Sequence, residues 1–251
     1  MRELADLIAQ SHSLVVFTGA GMSTESGIPD YRSPGGVWER HNPPQFQEFM
    51  TSSKARTAYW RFYQEAFWDF FKAQPHQGHL ALGRFYEAGN LKAVVTQNID
   101  GLHVRGGVAP EAMWELHGTV AKTSCLSCKK HMEDTEAVLK RFEVGELDPA
   151  CPLCGGILKP ATISFGQSLD QNVLQGAAQA CAEADLLIVA GSSLVVHPAA
   201  ALPRLTLENH GRVVLMNRDE TWLDDHATLV IREPIGQVLG ETADLLLGDC
   251  N

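Results

Sequence analysis

The chain has 251 residues, enough for one large domain or a domain carrying a sizeable insert, and its 45% hydrophobic content suffices for a packed core. A formal net charge of −10 argues against a general phosphate-backbone binder, so no direct nucleic-acid partner is expected, and an acidic surface suits a cationic peptide better. No run approaches the roughly 18–20 apolar residues of a membrane span, and the N-terminus lacks the apolar stretch and cleavage site of a signal peptide, so a cytoplasmic protein without membrane contact is expected.

Taken in chain order, residues 1–13 place Leu4, Leu7 and Ile8 at helical spacing. "LVVF" (14–17) and "KAVVTQN" (92–98) are short β-branched runs of the kind that form buried parallel strands. Between them, "HQGHLALGRFYEAGN" (76–90) reads as a helix stopped at Gly89–Asn90. "ATISF" (161–165), "DLLIVAG" (185–191), "GRVVLMN" (211–217) and "ATLVI" (227–231) continue the strand series. Helices fall at 170–184, with Asp170 as N-cap, and at 198–209, with Pro198 in the first turn. This alternation predicts an α/β fold with a doubly wound parallel sheet.

Two segments break the pattern. Residues 30–75 open with Pro and Gly and are dense in aromatics, as a loop leading into the helices of a smaller module would be. Residues 120–158 hold four of the six cysteines. Both read as insertions, so the sheet domain is expected at 1–29, 76–119 and 159–251, with a discontinuous second module. Cys125-x-x-Cys128 and Cys151-x-x-Cys154 form two knuckles with 22 residues between them, the arrangement of a closed, structural zinc ribbon. Cys181, in an Ala-rich helix, reads as a core residue.

Gly19 and Gly21 allow a tight turn after the first strand and a close approach to a pyrophosphate. A dehydrogenase fingerprint would place a third glycine where Thr24 stands. Gln97, Asn98 and Asp100 lie at a strand end where ligands of open α/β sheets collect, although such residues also cap strand ends. His117 ends another apolar run and can serve as a general base. Gly191, Ser192 and Ser193 follow a further strand, and Asn217 follows another.

"GAGMSTESGIPDYR", "TQNID", "LHG", the two CxxC pairs, "ISFG", "GSSLVVHPAA" and the late "LMN" together resemble the sirtuin family, in order, over roughly residues 8 to 240. The resemblance implies a Rossmann-like NAD-binding domain and a small zinc-plus-helical module, with 30–75 supplying the cofactor-binding loop and helices and 120–158 the zinc part. It implies an NAD-dependent protein-lysine deacylase, acting on acyl-lysine proteins or peptides and releasing nicotinamide and O-acyl-ADP-ribose. Ala20, Gly21, Ser23, Thr24, Arg32 and the 191–193 loop would hold NAD, with Asn217 near the adenosine. Asp30, Tyr31 and Arg32 match the loop that closes over the ribose. Ile99 and Asp100 would line the nicotinamide pocket, Asn98 would position ribose and water, and His117 would act as base on the ribose hydroxyls. Phe165 and Gly166 match the strand that pairs with the substrate backbone.

Three positions depart from the family's pattern: Tyr31 where Phe is commoner, Gln167 where Glu is usual, and Tyr63-Gln64-Glu65-Ala66 without the arginine of succinyl-specific members. Poor desuccinylation is therefore expected. The stretch 46–63 looks most like class II sirtuins, and the aromatics of 59–71 suit an apolar acyl tunnel or an ordinary helical core equally. Mono-ADP-ribosyl transfer from the same site is the alternative function, and a non-catalytic zinc and nucleotide module is a further one.

Overall fold

The computed structural model describes residues 1–30 and 44–248, without the side chains of 66–69 and 71. The strands are β1 (Leu14–Thr18), β2 (Leu91–Thr96), β3 (Met113–Glu115), β4 (Gly118–Cys125), β5 (Met132–Asp134), β6 (Leu158–Thr162), β7 (Leu186–Ala190), β8 (Arg212–Met216) and β9 (Leu229–Ile231). The helices are α1 (Arg2–Ala9), α2 (Phe46–Thr51), α3 (Ser53–Lys72), α4 (Gln77–Glu87), α5 (Leu102–Arg105), α6 (Thr135–Glu143), α7 (Gln171–Glu183), α8 (Pro203–Glu208) and α9 (Ile235–Leu247).

Six strands form a parallel sheet in the order β3-β2-β1-β7-β8-β9. β1 and β7 are buried along their whole length, as strands covered on both faces must be. One face packs Val16, Val94, Ile188 and Val214 against Leu4 and Ile8 of α1, Leu82 and Phe85 of α4, and Leu239 of α9. The other packs Phe17, Val95, Val189 and Leu215 against Ala177 and Cys181 of α7. The strand order reverses direction between β1 and β7, and that switch point opens a crevice at the carboxyl ends of the strands.

Local signals act as their chemistry dictates. The Asp170 carboxylate accepts from the amides of Asn172 (2.8 Å) and Val173 (3.2 Å) and starts α7. Gly89, at φ +77°, ends the α4 segment in the left-handed conformation. The single helix expected over 198–209 is instead a 3₁₀ turn, Ala199–Ala201, followed by α8, because the Pro203 ring supplies no N–H to a continuous helix.

A larger correction concerns 161–165, expected among the parallel strands. β6 covers Leu158–Thr162 and pairs antiparallel with β4 in a separate sheet of order β5-β4-β6. Pro160 cannot donate to a ladder, so an edge position suits it. This small sheet packs with α3 and α6 around Phe49, Trp60, Leu139, Phe142 and Leu158. The described aromatics Tyr59, Trp60 and Tyr63 lie in this core, at 4%, 0% and 6% exposure, which favours the helical-core reading for these three. The helices α6 and α9 were not anticipated, although Ile235, Val238, Leu239 and Thr242 bury one face of α9 at helical spacing.

Candidate active site

Two glycine turns meet back to back at the switch point. Gly21 N donates to Gly191 O (2.8 Å), Gly19 N to Ala190 O (3.0 Å), and Gly191 N to Met216 O (2.8 Å). A Cβ on Gly19 would stand 2.7 Å from Gly191 O, and one on Gly191 would stand 2.2 Å from Met22 N. Gly191 also has φ +66°, where a side chain is strained. Only backbone fits where these turns meet.

Next to these turns, Asn98 is gripped on two sides and 5% exposed. Its Nδ2 donates to Gly19 O (3.0 Å) and to Ser23 Oγ (3.1 Å), and Ser23 Oγ donates to Asp100 Oδ2 (2.7 Å). The amide of Leu102 donates to Asp100 Oδ1 (2.9 Å). Burial raises the Asp100 carboxyl above its ordinary range, against the lowering effect of Leu102 and Ser23. Gln97 Nε2 reaches across the crevice to Ser192 Oγ (2.8 Å), so the ends of β2 and β7 are tied by side chains as well.

His117 follows β3. Its Nδ1 lies 2.9 Å from Gln97 O, and a carbonyl only accepts, so Nδ1 carries the proton and Nε2 holds the lone pair. Burial pushes the His117 pKa down, opposed by the Gln97 carbonyl. Beside this region, burial and then the charge of Asp100 raise the Glu115 pKa to about 7.

Other expected residues sit at the margin. Thr24 is exposed and its hydroxyl donates to Gly21 O (3.0 Å), which trims the turn. Ala20 is half-buried and Ser193 exposed. Asn217 donates through Nδ2 to Asp219 O (2.8 Å) at the β8 end of the crevice. Ile99 packs against the small-module core and accepts from Val120 N (2.9 Å), joining the two bodies. Asp30 is half-buried at the end of the first described stretch, and Tyr31 and Arg32 lie outside the described residues.

The groups beneath Asn98 carry no motif in the sequence. Thr96 Oγ1 accepts from Asn98 N (3.0 Å) and from Thr18 Oγ1 (2.8 Å), and Thr18 Oγ1 lies 2.9 Å from His103 Nε2. All three are buried, at 1%, 0% and 2% exposure. The available signal was a hydroxyl at the last position of two strands, where an apolar residue would otherwise stand.

The segment after β6 faces the crevice from the small module. Ile163 N donates to His117 O (2.9 Å), and Phe165 is 58% exposed beyond it. Phe46 N donates to Phe165 O (3.2 Å), so the start of α2 touches this segment. A tight turn follows, with Gly166 at φ +82° and Ser164 N donating to Gln167 Oε1 (3.2 Å). Gln167 thus serves as a turn acceptor with a neutral amide where a carboxylate was usual.

In the small module, Cys125, Cys128, Cys151 and Cys154 bring their sulfurs within 4.8 Å of one another. The Cys125–Cys154 and Cys128–Cys151 separations are 3.6 and 4.0 Å. Tetrahedral zinc with bonds of about 2.3 Å needs sulfurs about 3.8 Å apart, so the donor set fits that ion. Cys181 lies apart from it, fully buried under α8, and burial raises its thiol to about 12.

Comparison with known proteins reports on the chain as a whole. The model of the Sir2 family matches residues 19–198. An NAD-dependent protein deacetylase of Rhodopseudomonas palustris is 44% identical over 240 residues, which cover 96% of this chain and 94% of that protein. An NAD-dependent protein deacetylase of Thermodesulfovibrio yellowstonii is 40% identical, with 96% and 93% covered. A Sir2 structure with a p53 peptide and NAD+ superposes with a TM-score of 0.86 at 36% identity, covering 98% of both chains.

Proposed function

The chain belongs to the Sir2 family, and on that premise we propose how its own residues carry out the reaction of an NAD-dependent protein-lysine deacylase. It is an enzyme of the sirtuin type that uses NAD and acts on acyl-lysine peptides, with a four-cysteine site suited to structural zinc. The site residues, the division of labour and the location are the substance of the proposal.

When bound, NAD would supply an electrophilic ribose carbon for the acyl oxygen, with nicotinamide as its leaving group. The glycine turns at 19–21 and 191 form the pyrophosphate cradle, since no Cβ fits there. Asn98 presents Oδ1 to the ribose or an attacking water, because its Nδ2 is already committed to Gly19 O and Ser23 Oγ. Asp100 and Ile99 line the nicotinamide side, and Asn217 with Ser192 and Ser193 the adenosine side. Tyr31 and Arg32, with Asp30, belong to the loop that excludes water. His117 takes a ribose hydroxyl proton on Nε2 and holds it as an imidazolium on Gln97 O. Phe165 and Gly166, in the exposed turn just beyond β6, would offer backbone to the substrate peptide, as β-augmentation requires.

The tautomer fixed on His117 by Gln97 O carries this reading. In this division, 1–29, 76–119 and 159–251 bind NAD, 120–158 binds zinc and 30–75 supplies the closing loop and helices, with β6 at the seam. A cytoplasmic location follows from the zinc thiolates, which a reducing compartment preserves.

The test is mass spectrometry of products from NAD and a panel of acetyl-, butyryl-, longer fatty acyl-, lipoyl- and succinyl-lysine peptides. O-acyl-ADP-ribose is expected from the wild type and not from His117→Ala, with the succinyl peptide turned over poorly. Nicotinamide release with ADP-ribose on protein and no deacylation would replace this reading by ADP-ribosyl transfer.

A further inference from the structure

The segment that leads from β6 to Phe165 is held by a buried cation. Lys159, in β6, is 1% exposed. Its Nζ donates to the backbone carbonyls of Pro160 (3.3 Å) and Thr162, and it lies 5.5 Å from the centroid of the Tyr59 ring. No carboxylate acts on it among the described residues. Burial pushes its pKa down, and Tyr59 opposes that. A buried ammonium is costly, and here its hydrogen bonds to the Pro160 and Thr162 carbonyls and its interaction with Tyr59 work against that cost. Burial of a charge by itself therefore gives no reason for a lysine here.

Its position gives one. The peptide group joining Thr162 to Ile163 is gripped at both ends: its carbonyl accepts from Lys159 Nζ, and its N–H donates to His117 O at 2.9 Å. The flanking side chains are tied to α3, Thr162 Oγ1 to Tyr63 Oη at 2.7 Å and Ser164 Oγ to Tyr59 Oη at 3.3 Å. An ammonium has three donors on a flexible stem, so one head can reach two carbonyls of its own strand and still face the aromatic ring. The backbone leading into Phe165 is thereby fixed at successive residues, and the same peptide group touches His117.

We propose that Lys159 is a positioning residue for acyl-peptide binding: by clamping the Thr162 carbonyl it sets the plane of the 162–163 peptide group, and with it the placement of the segment 163–165, which runs from the end of β6 into the turn at Gly166. The proposal rests on the deacylase reading for the identity of the peptide. Its effect falls on the peptide side of the crevice and on the His117 carbonyl bonded to the same peptide group, not on the glycine turns. Among the described residues, the glycine turns at 19–21 and 191 bond to one another and to the ends of the parallel strands, not to β6.

The experiment compares wild type, Lys159→Met and Lys159→Arg. The readouts are the Kd of a fluorescein-labelled acetyl-lysine peptide by anisotropy, the Kd of NAD, the KM of each substrate, and Tm. Lys159→Met should fold with a Tm within a few degrees of wild type, since removal of the buried charge is set against two carbonyls left without their donor. Its peptide Kd and peptide KM should rise about tenfold, as a displaced binding segment would cause, while NAD affinity holds. Lys159→Arg, which keeps charge and donors, should recover most of the loss. Unchanged peptide affinity in Lys159→Met would overturn the proposal, as would peptide and NAD affinity falling together with Tm in both variants. Should Lys159→Met not fold, Lys159→Gln, with one side-chain donor group, is read in the same way. A wild type that binds the peptide without releasing deacylated product would defeat the deacylase reading and leave the Kd comparison intact.

Discussion

A histidine works as a base only from the nitrogen that lacks a proton, and Gln97 O makes that nitrogen Nε2 in His117. Because burial lowers the His117 pKa, the neutral form persists below the ordinary imidazole range. The sign follows: kcat/KM is full above the His117 pKa and falls as pH drops through it, so the acid limb lies below that of an unperturbed imidazole. A pH–rate profile with peptide at subsaturating concentration checks this, and an acid limb at or above the ordinary value would refute the assignment. Removing the imidazole should lower kcat by about 10²–10⁴. At Gly191 the argument is steric. With φ +66° and a would-be Cβ 2.2 Å from Met22 N, Gly191→Ala should cost about 2–4 kcal/mol and weaken NAD binding, read by thermal denaturation and NAD titration. Wild-type behaviour in both assays would mean that the two turns are looser than their geometry.

Among the elements, what the sequence made legible depended on whether function and packing asked for different residues. Gly19, Asn98 and His117 stand out because polar or side-chain-free positions interrupt apolar strand ends, and the structure brings them to one crevice. Thr18 and Thr96 were overlooked because a β-branched threonine looks like strand filler, yet their hydroxyls support the Asn98 backbone. Lys159 was overlooked for the opposite reason. A lysine beside a proline in a short run reads as the solvent face of an edge strand, whereas here it turns inward onto Tyr59, from a helix placed much earlier in the chain. The run at 161–165 was assigned to the wrong sheet because a short apolar run does not say which partner it pairs with. Pairing with β4 is decided by the cysteine segment, whose Cys125 and Leu158 stand opposite one another in the ladder.

That segment gives the small module a stability of its own. Its sheet has three short strands, and its core draws on α3 from one stretch of chain and on α6 and β6 from another. So small a body needs a staple, and four thiolates around one ion supply it. Chelation, or Cys154→Ser, should therefore release zinc and abolish peptide turnover while the parallel sheet keeps its far-ultraviolet signal. Zinc release followed by absorbance of a chromogenic chelator, alongside circular dichroism, tests this; retained turnover after full zinc loss would contradict it.

The larger body carries a weakness of a different kind, set by histidines that its packing keeps neutral. His79 is 0% exposed, and neither ring nitrogen has a partner among the described residues; His103 is 2% exposed, with Nδ1 unpartnered. Their rings stand 5.0 Å apart, and His76 lies 4.4 Å from His79. Burial, then the neighbouring histidines, lower His79 from 6.5 to about 2, and burial with His76 lowers His103 to about 3. The unfolded chain therefore binds more protons than the native one between the unfolded value and these, so stability rises with pH across that window. Present in full above about 6.5, it is lost as pH falls, by about 2 kcal/mol per histidine at pH 5. Tm measured from pH 7.5 down to 4.5 should thus decline, starting in a range where ordinary carboxylates are still ionised, with Glu115 offsetting part of the decline because its raised pKa makes the folded chain take up a proton over the same window. His79→Leu, which fills the site without a proton to gain, should flatten the decline by its share. If the slope of the variant equals that of wild type, His79 is charged in the folded protein and the buried cluster must accommodate a cation.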